Sequence, residues 1–147
     1  MSRVTYDDYE GADWALRAGR WEARVKAVLN GKPGQVQFRA LEAALLALPR
    51  KRLIYGNLSD GEDVCALGAM LTHRGMPIDE LELVSSDDDD GRLLATAVPD
   101  NLRKYLGLTS TLAWLITEAN DEKPYHGITP EQRYSAMLAW ARSNIRA

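Results

Sequence analysis

The sequence predicts an all-α fold, and three observations carry that expectation. Apolar residues recur at helical spacing in one segment after another, glycine and proline punctuate those segments, and one segment opens with a full capping signal at Thr129, Pro130 and Gln132, while the short apolar run Leu53-Ile54-Tyr55 reads either as an extended piece or as a one-turn helix. The expected architecture is a compact single-domain bundle of about six helices, with room for a short β-hairpin near residues 53–60.

The elements follow in order. Residues 1–10 read as a loose lead-in. From Asp13, residues Trp14, Trp21, Val25, Val28 and Leu29 form one stripe, and Gly31 with Pro33 supplies a stop, so the first helix is placed at 11–30. Lys32-Pro33-Gly34-Gln35 has the composition of a turn. The second helix, 35–48, carries Phe38, Leu41, Leu45 and Leu48 and ends at Pro49. A third helix is expected from near Glu62 to Gly75, where Ala66, Gly68 and Ala69 invite the close approach of another helix.

Asp79 is positioned to cap a short helix holding Leu81 and Val84, and residues 85–91, SSDDDDG, read as an acidic loop. Further helices are expected over 100–106 and 110–119, joined by Gly107-Leu108-Thr109. The clearest start belongs to the last helix. Thr129 is the cap, Pro130 takes the first helical position and Gln132 completes a capping box. Its stripe is Tyr134, Met137, Leu138, Ala141 and Ile145.

Composition narrows the function classes. The 147 residues are 46% hydrophobic and 27% charged, which excludes a collagen, a coiled-coil rod and wholesale disorder. A net charge of −3 argues against binding to nucleic acid through bulk positive charge, while leaving room for a local patch. The single cysteine excludes an internal disulfide and a cysteine-rich zinc site, and His73 and His126 leave little for a histidine metal centre, so no metal or cofactor is expected. The longest apolar run, near residues 43–48, falls far short of the ~20 residues that span a bilayer, so no membrane partner is expected. The polar start has no secretory pattern, and a lone thiol suits a reducing compartment, so a cytoplasmic location is expected.

Several residues could carry chemistry. Cys65 lies early in a predicted helix, where unpaired N–H groups would favour a thiolate, and His126 and Asn120 could complete a Cys/His/Asn arrangement. Against this, Val64, Ala66 and Leu67 make Cys65 look like a small buried hydrophobe, and Asp60, Glu62 and Asp63 would raise its pKa. The Asp87–Asp90 tract matches a calcium loop only in part. Ser86 and Ala97 stand where ligands are required, so an EF-hand is rejected.

Residues 101–116 resemble a helix-turn-helix with Leu102, Leu106, Leu108, Ala113 and Ile116 facing inward. Arg103 stands where a small residue is needed, and Trp114 and Leu115 where polar base readers belong, which favours two packed helices with Trp114 in the core or at an interface. The four tryptophans read mostly as core. His73 suits the end of its helix. The cluster Arg50-Lys51-Arg52, with Arg17, Arg20, Arg24 and Lys26, could form a patch for a phosphate or an acidic partner, or could be ordinary solvated surface. Asn120 and Asp121 could serve the backbone or converge with Cys65 on a small pocket.

The run from Arg52 to Ala69, RLIYGNLSDGEDVCALGA, with Asn120-Asp121-Glu122 and Thr129-Pro130-Glu131-Gln132-Arg133 downstream, resembles small bacteriophage and prophage proteins for which no activity is established. The likeness covers roughly residues 35–145. A more distant likeness is to bacterial domains with a "C..GA" and a "WND" element, where Ala119 replaces the tryptophan here. The resemblance implies origin and not reaction, although compact phage-encoded proteins often bind host machinery, including defence systems such as CRISPR complexes. With no complete catalytic constellation, abundant helical aromatics and one acidic loop, the expectation is a non-enzymatic accessory protein that binds a host protein or complex, including a counter-defence inhibitor of the anti-CRISPR kind. Two alternatives stay open: a ligand binder or thiol enzyme using Cys65, and a DNA-binding regulator through residues 101–116. A homodimer is also open.

Overall fold

A computed structural model describes residues 6–78, 103, 105–121 and 128–146. The elements in chain order are α1 (Tyr6–Asn30), α2 (Lys32–Ala47), β1 (Ser59–Asp60), β2 (Asp63–Val64), α3 (Ala66–His73), α4 (Ser110–Asp121) and α5 (Pro130–Ser143). The all-α class holds, with five helices and one two-stranded antiparallel hairpin among the described residues, against the six or so expected. The expected helices at 79–84 and in most of 100–106, and the acidic tract 85–91, lie outside them, although Arg103, Tyr105 and Leu106 are helical.

The centre of the bundle is α2. Phe38, Leu41, Ala44 and Leu45 are buried, and α2 packs on α3, α5 and α1. The core continues through Leu53 and Leu58, the first turns of α3, Leu106, Leu108, Leu112 and Ile116 around α4, and Tyr134, Met137 and Ala141 of α5. Burial on this scale is the main favourable term in folding, at roughly 25 cal/mol per Å² of apolar surface.

Several boundaries differ from expectation. α1 begins at Tyr6, inside the expected lead-in, five residues before the expected start. The expected turn at 32–35 is helical. Only Gly31 separates α1 from α2, and Pro33 sits in the first turn of α2, where its missing N–H costs nothing. The hairpin lies at 59–64 instead of 53–60. Ser59 pairs with Val64 and Asp60 with Asp63, leaving a two-residue loop whose first residue, Gly61, has φ +63°, as a type II′ turn requires. The hairpin takes the start expected for the third helix, so α3 opens at Ala66 with Cys65 as its cap.

Glycine 68 was expected to admit a helix, but the hairpin approaches it instead. A Cβ at Gly68 would run into the Leu58 carbonyl and crowd the Val64 side chain. The tryptophans also depart from the core reading. Trp21, Trp114 and Trp140 are only partly buried, as rings this large usually are, with Trp140 packed against the core beside Phe38, and the Trp14 side chain lies outside the described residues. The capping box of α5 is as expected: Thr129 Oγ1 accepts from the Gln132 N–H at 3.1 Å, and Gln132 Oε1 accepts from the Thr129 N–H at 2.8 Å.

Candidate functional site

Cys65, Asn120 and Asp121, for which service to the backbone and convergence on a small pocket both stand open from the sequence, come together around one small cavity, and their partners are largely backbone. Asn120 occupies the last turn of α4 and is 2% exposed. Its Oδ1 accepts from the Ala66 N–H at 3.0 Å, one of the unpaired donors at the start of α3. Its Nδ2 donates to the Ile54 carbonyl at 2.9 Å and to Asp121 Oδ1 at 2.8 Å. Asp121 Oδ1 also accepts from the Gly56 N–H at 3.3 Å. Thus one amide side chain ties α4 to α3 and to the irregular segment 51–58. That segment has further backbone anchors: Leu53 N–H donates to the Pro130 carbonyl and Ile54 N–H to the Val64 carbonyl, both at 3.0 Å.

Cys65 is buried, and its Sγ accepts from the Gly68 N–H at 3.4 Å, a cap interaction. Burial, reinforced by the nearby Asp121 charge, pushes the thiol up to about 12, despite the lowering pull of that hydrogen bond. A thiol so placed is protonated at neutral pH and is not a nucleophile. Cys65, Thr117, Asn120 and Asp121 line a cavity of about 10 Å³ with Gly56, Asn57 and Leu67, room for at most one water molecule. His126, the expected third member, lies outside the described residues.

Arg133 is the member of this centre that residue-by-residue reading missed. It is 4% exposed, donates through Nη1 to the Asn120 carbonyl at 2.6 Å and lies 4.8 Å from the Tyr55 ring centroid. It thereby closes the carbonyl end of α4 with a cation, where the helix dipole favours one. The only sequence signal was its place in the TPEQR motif.

The basic cluster at 50–52 divides in two. Lys51 Nζ donates to the Leu46 and Leu48 carbonyls at 2.6 and 2.8 Å and lies over the Tyr134 ring, so it terminates α2. Arg52 Nε stands 3.3 Å from Asp63 Oδ2, and Arg50 Nη1 3.8 Å from Asp63 Oδ1, beside a cleft of about 380 Å³ lined also by Glu62, Val64 and Ile78. The paired acids offset the two guanidinium groups, so this cleft has mixed charge. Of the α1 arginines, Arg24 lines a different groove, together with Val28.

Trp114 stands half-buried on α4, with its ring edge-on to Trp21 of α1 at a centroid distance of 5.0 Å. Leu106, Leu108, Ala113 and Ile116 are buried, as expected for the inward positions of residues 101–116, and Leu102 lies outside the described residues. His73 is exposed in the last turn of α3, as expected. Among the described residues, no group of three histidine, cysteine or carboxylate side chains could hold a metal ion, and no helix is long and apolar enough to cross a membrane. Comparison with known protein families, curated proteins and solved structures finds no match for this chain.

Proposed function

We propose that this chain is a phage-type accessory protein that acts in the bacterial cytoplasm by binding a host protein or complex, through the outer surface of its helical bundle. Interference with a host defence complex is one form that such binding would take. The observation that carries the reading is the aromatic edge between α1 and α4. Trp21 and Trp114 meet edge to face at the rim, and none of residues 15–30 of α1 is buried. Partly exposed tryptophans on rigid helices are typical anchors of protein interfaces, where they supply large contact area at little entropic cost.

The alternatives fare less well on the same geometry. Cys65 is buried against a cavity too small for a substrate, and its proton is held tightly. A DNA-reading role for residues 101–116 needs α4 to enter a groove, yet α1 packs on α4 through Trp21.

A photo-crosslinking amino acid placed at exposed Leu16 of α1, and separately at exposed Leu46 of α2, tests the reading in bacterial lysate. A discrete adduct of one host protein, formed from position 16 and absent from position 46, is the expected result. Equal background at both positions, or no adduct at either, would contradict it.

A further inference from the structure

The outer face of α2 meets residues 142–146 in one basic patch. Lys32, Val36 and Arg39 follow each other at spacings of four and three, so they stand on one side of α2, and all three are exposed. Val36, between the two cations, is 62% exposed, the most open large apolar side chain among the described residues. Residues 144–146 lie against the same end of the helix. Arg39 Nη2 donates to the Arg146 carbonyl at 2.7 Å, the Arg146 N–H donates to Gln35 Oε1 at 2.6 Å, and Arg146 Nη2 donates to Asn30 Oδ1 at 3.4 Å. Those acceptors are neutral, so both guanidinium groups keep their charge and most of their five donors. Lys32 makes no hydrogen bond or ion pair among the described residues. Of the patch cations only Arg142 meets a carboxylate, that of Glu42 at 2.9 Å.

Segments 26–46 and 135–146, which supply the patch, hold five bases, Lys26 included, against Glu42 alone, an excess that a carboxylate at position 147 does not cancel. The acids of α1 are remote. Glu22, the nearest, stands eight residues or about 12 Å before Asn30, and Asp13 about 25 Å before it, against a screening length of about 8 Å at physiological salt.

We infer that this patch docks an acidic segment of a partner protein, with an apolar side chain of that segment against Val36 and carboxylates over Lys32, Arg39 and Arg146. Two features select the occupant. Cations without carboxylate partners, on a chain of net charge −3, make a local positive field that an acidic surface complements. An open valine among them matches the apolar centre and charged rim of a protein interface, whereas a phosphate backbone has nothing to place on it. The patch begins about 14 Å beyond Trp21 along α1, so it is a second surface, and it stands or falls independently of the aromatic edge.

Selection from a displayed random-peptide library against the folded chain, followed by affinity measurement on the winners, tests this. Enriched peptides should carry several aspartates or glutamates beside one leucine, isoleucine or phenylalanine. Lys32→Glu puts an acid in the first turn of α2, where the helix dipole favours one, so this variant keeps its fold. Peptide affinity should fall about tenfold in Lys32→Glu and in Arg39→Glu, and several-fold in Val36→Ser, with circular dichroism unchanged. Arg20→Glu makes the same change in net charge about 15 Å before Asn30 and should leave the affinity within about twofold. Failure to enrich acidic peptides, indifference to Val36→Ser, or an equal loss in Arg20→Glu and Lys32→Glu would overturn the inference. So would retention of a DNA duplex at physiological salt that depends on Lys32 and Arg39, or self-association abolished by Lys32→Glu.

Discussion

Asn120 has the largest expected effect among single residues. Removing its side chain orphans the Ala66 N–H and the Ile54 carbonyl together. Each unsatisfied buried group costs about 1–3 kcal/mol, so Asn120→Ala should lower stability by about 2–6 kcal/mol in denaturant titration. A loss under about 0.5 kcal/mol, ordinary for an innocuous surface change, would deny the network its structural role. For Cys65 the expectation is kinetic. Iodoacetamide near neutral pH should leave the folded protein unmodified and label it fully in denaturant, whereas rapid labelling of the native state would contradict the buried thiol. Asp121 supplies a pH signature. Burial raises its carboxyl above the usual range, against the lowering influence of Asn120, the Gly56 N–H and Arg133. The native state therefore holds this proton more tightly than the unfolded chain does. The resulting stability is present at low pH and is lost as pH rises from the unfolded value of about 4 through the higher folded one. Asp121→Asn removes that dependence, so the thermal midpoint of the wild type relative to the variant should decline over that window. A flat or rising difference would contradict the assignment.

At the scale of elements, two glycines set how closely neighbours approach. A Cβ at Gly34 would collide with the Val28 carbonyl of α1, and one at Gly68 with the Leu58 carbonyl before the hairpin. Both obstacles are backbone, so Gly34→Ala and Gly68→Ala should each cost about 1–3 kcal/mol, with the Gly34 variant also changing Trp21 fluorescence as α1 shifts. Unchanged thermal midpoints would show that the helices separate freely. These sites also mark how much the sequence disclosed. Helices with a clean apolar period and a side-chain cap were legible, α5 above all, since Thr129, Pro130 and Gln132 act within one turn. Gly34 was read as a turn residue because its chemistry is ambiguous locally; contact with α1 makes it helical. The convergence of Cys65, Asn120 and Asp121 was foreseen as one of two options. Arg133 was not, since a buried arginine is recognisable only once the carbonyl end of α4 is seen to meet it. Gln35 was missed for the same reason: its side chain donates to the Leu29 and Asn144 carbonyls at 2.7 Å each, the second of them 109 residues along the chain.

At the scale of the molecule, interior polarity and outer chemistry have separate jobs. The interior groups join α3, α4, α5 and the segment 51–58 into one frame, and α1 lies along its side with arginines and a tryptophan edge turned outward. One crosslinking experiment divides these roles most directly. The host adduct formed from position 16 is measured in a Cys65→Ala background and in a Trp114→Ala background, each confirmed as folded by circular dichroism. The account predicts that the adduct survives loss of the thiol and disappears on loss of the Trp114 ring. An adduct that vanishes with the thiol and persists without Trp114 would contradict it.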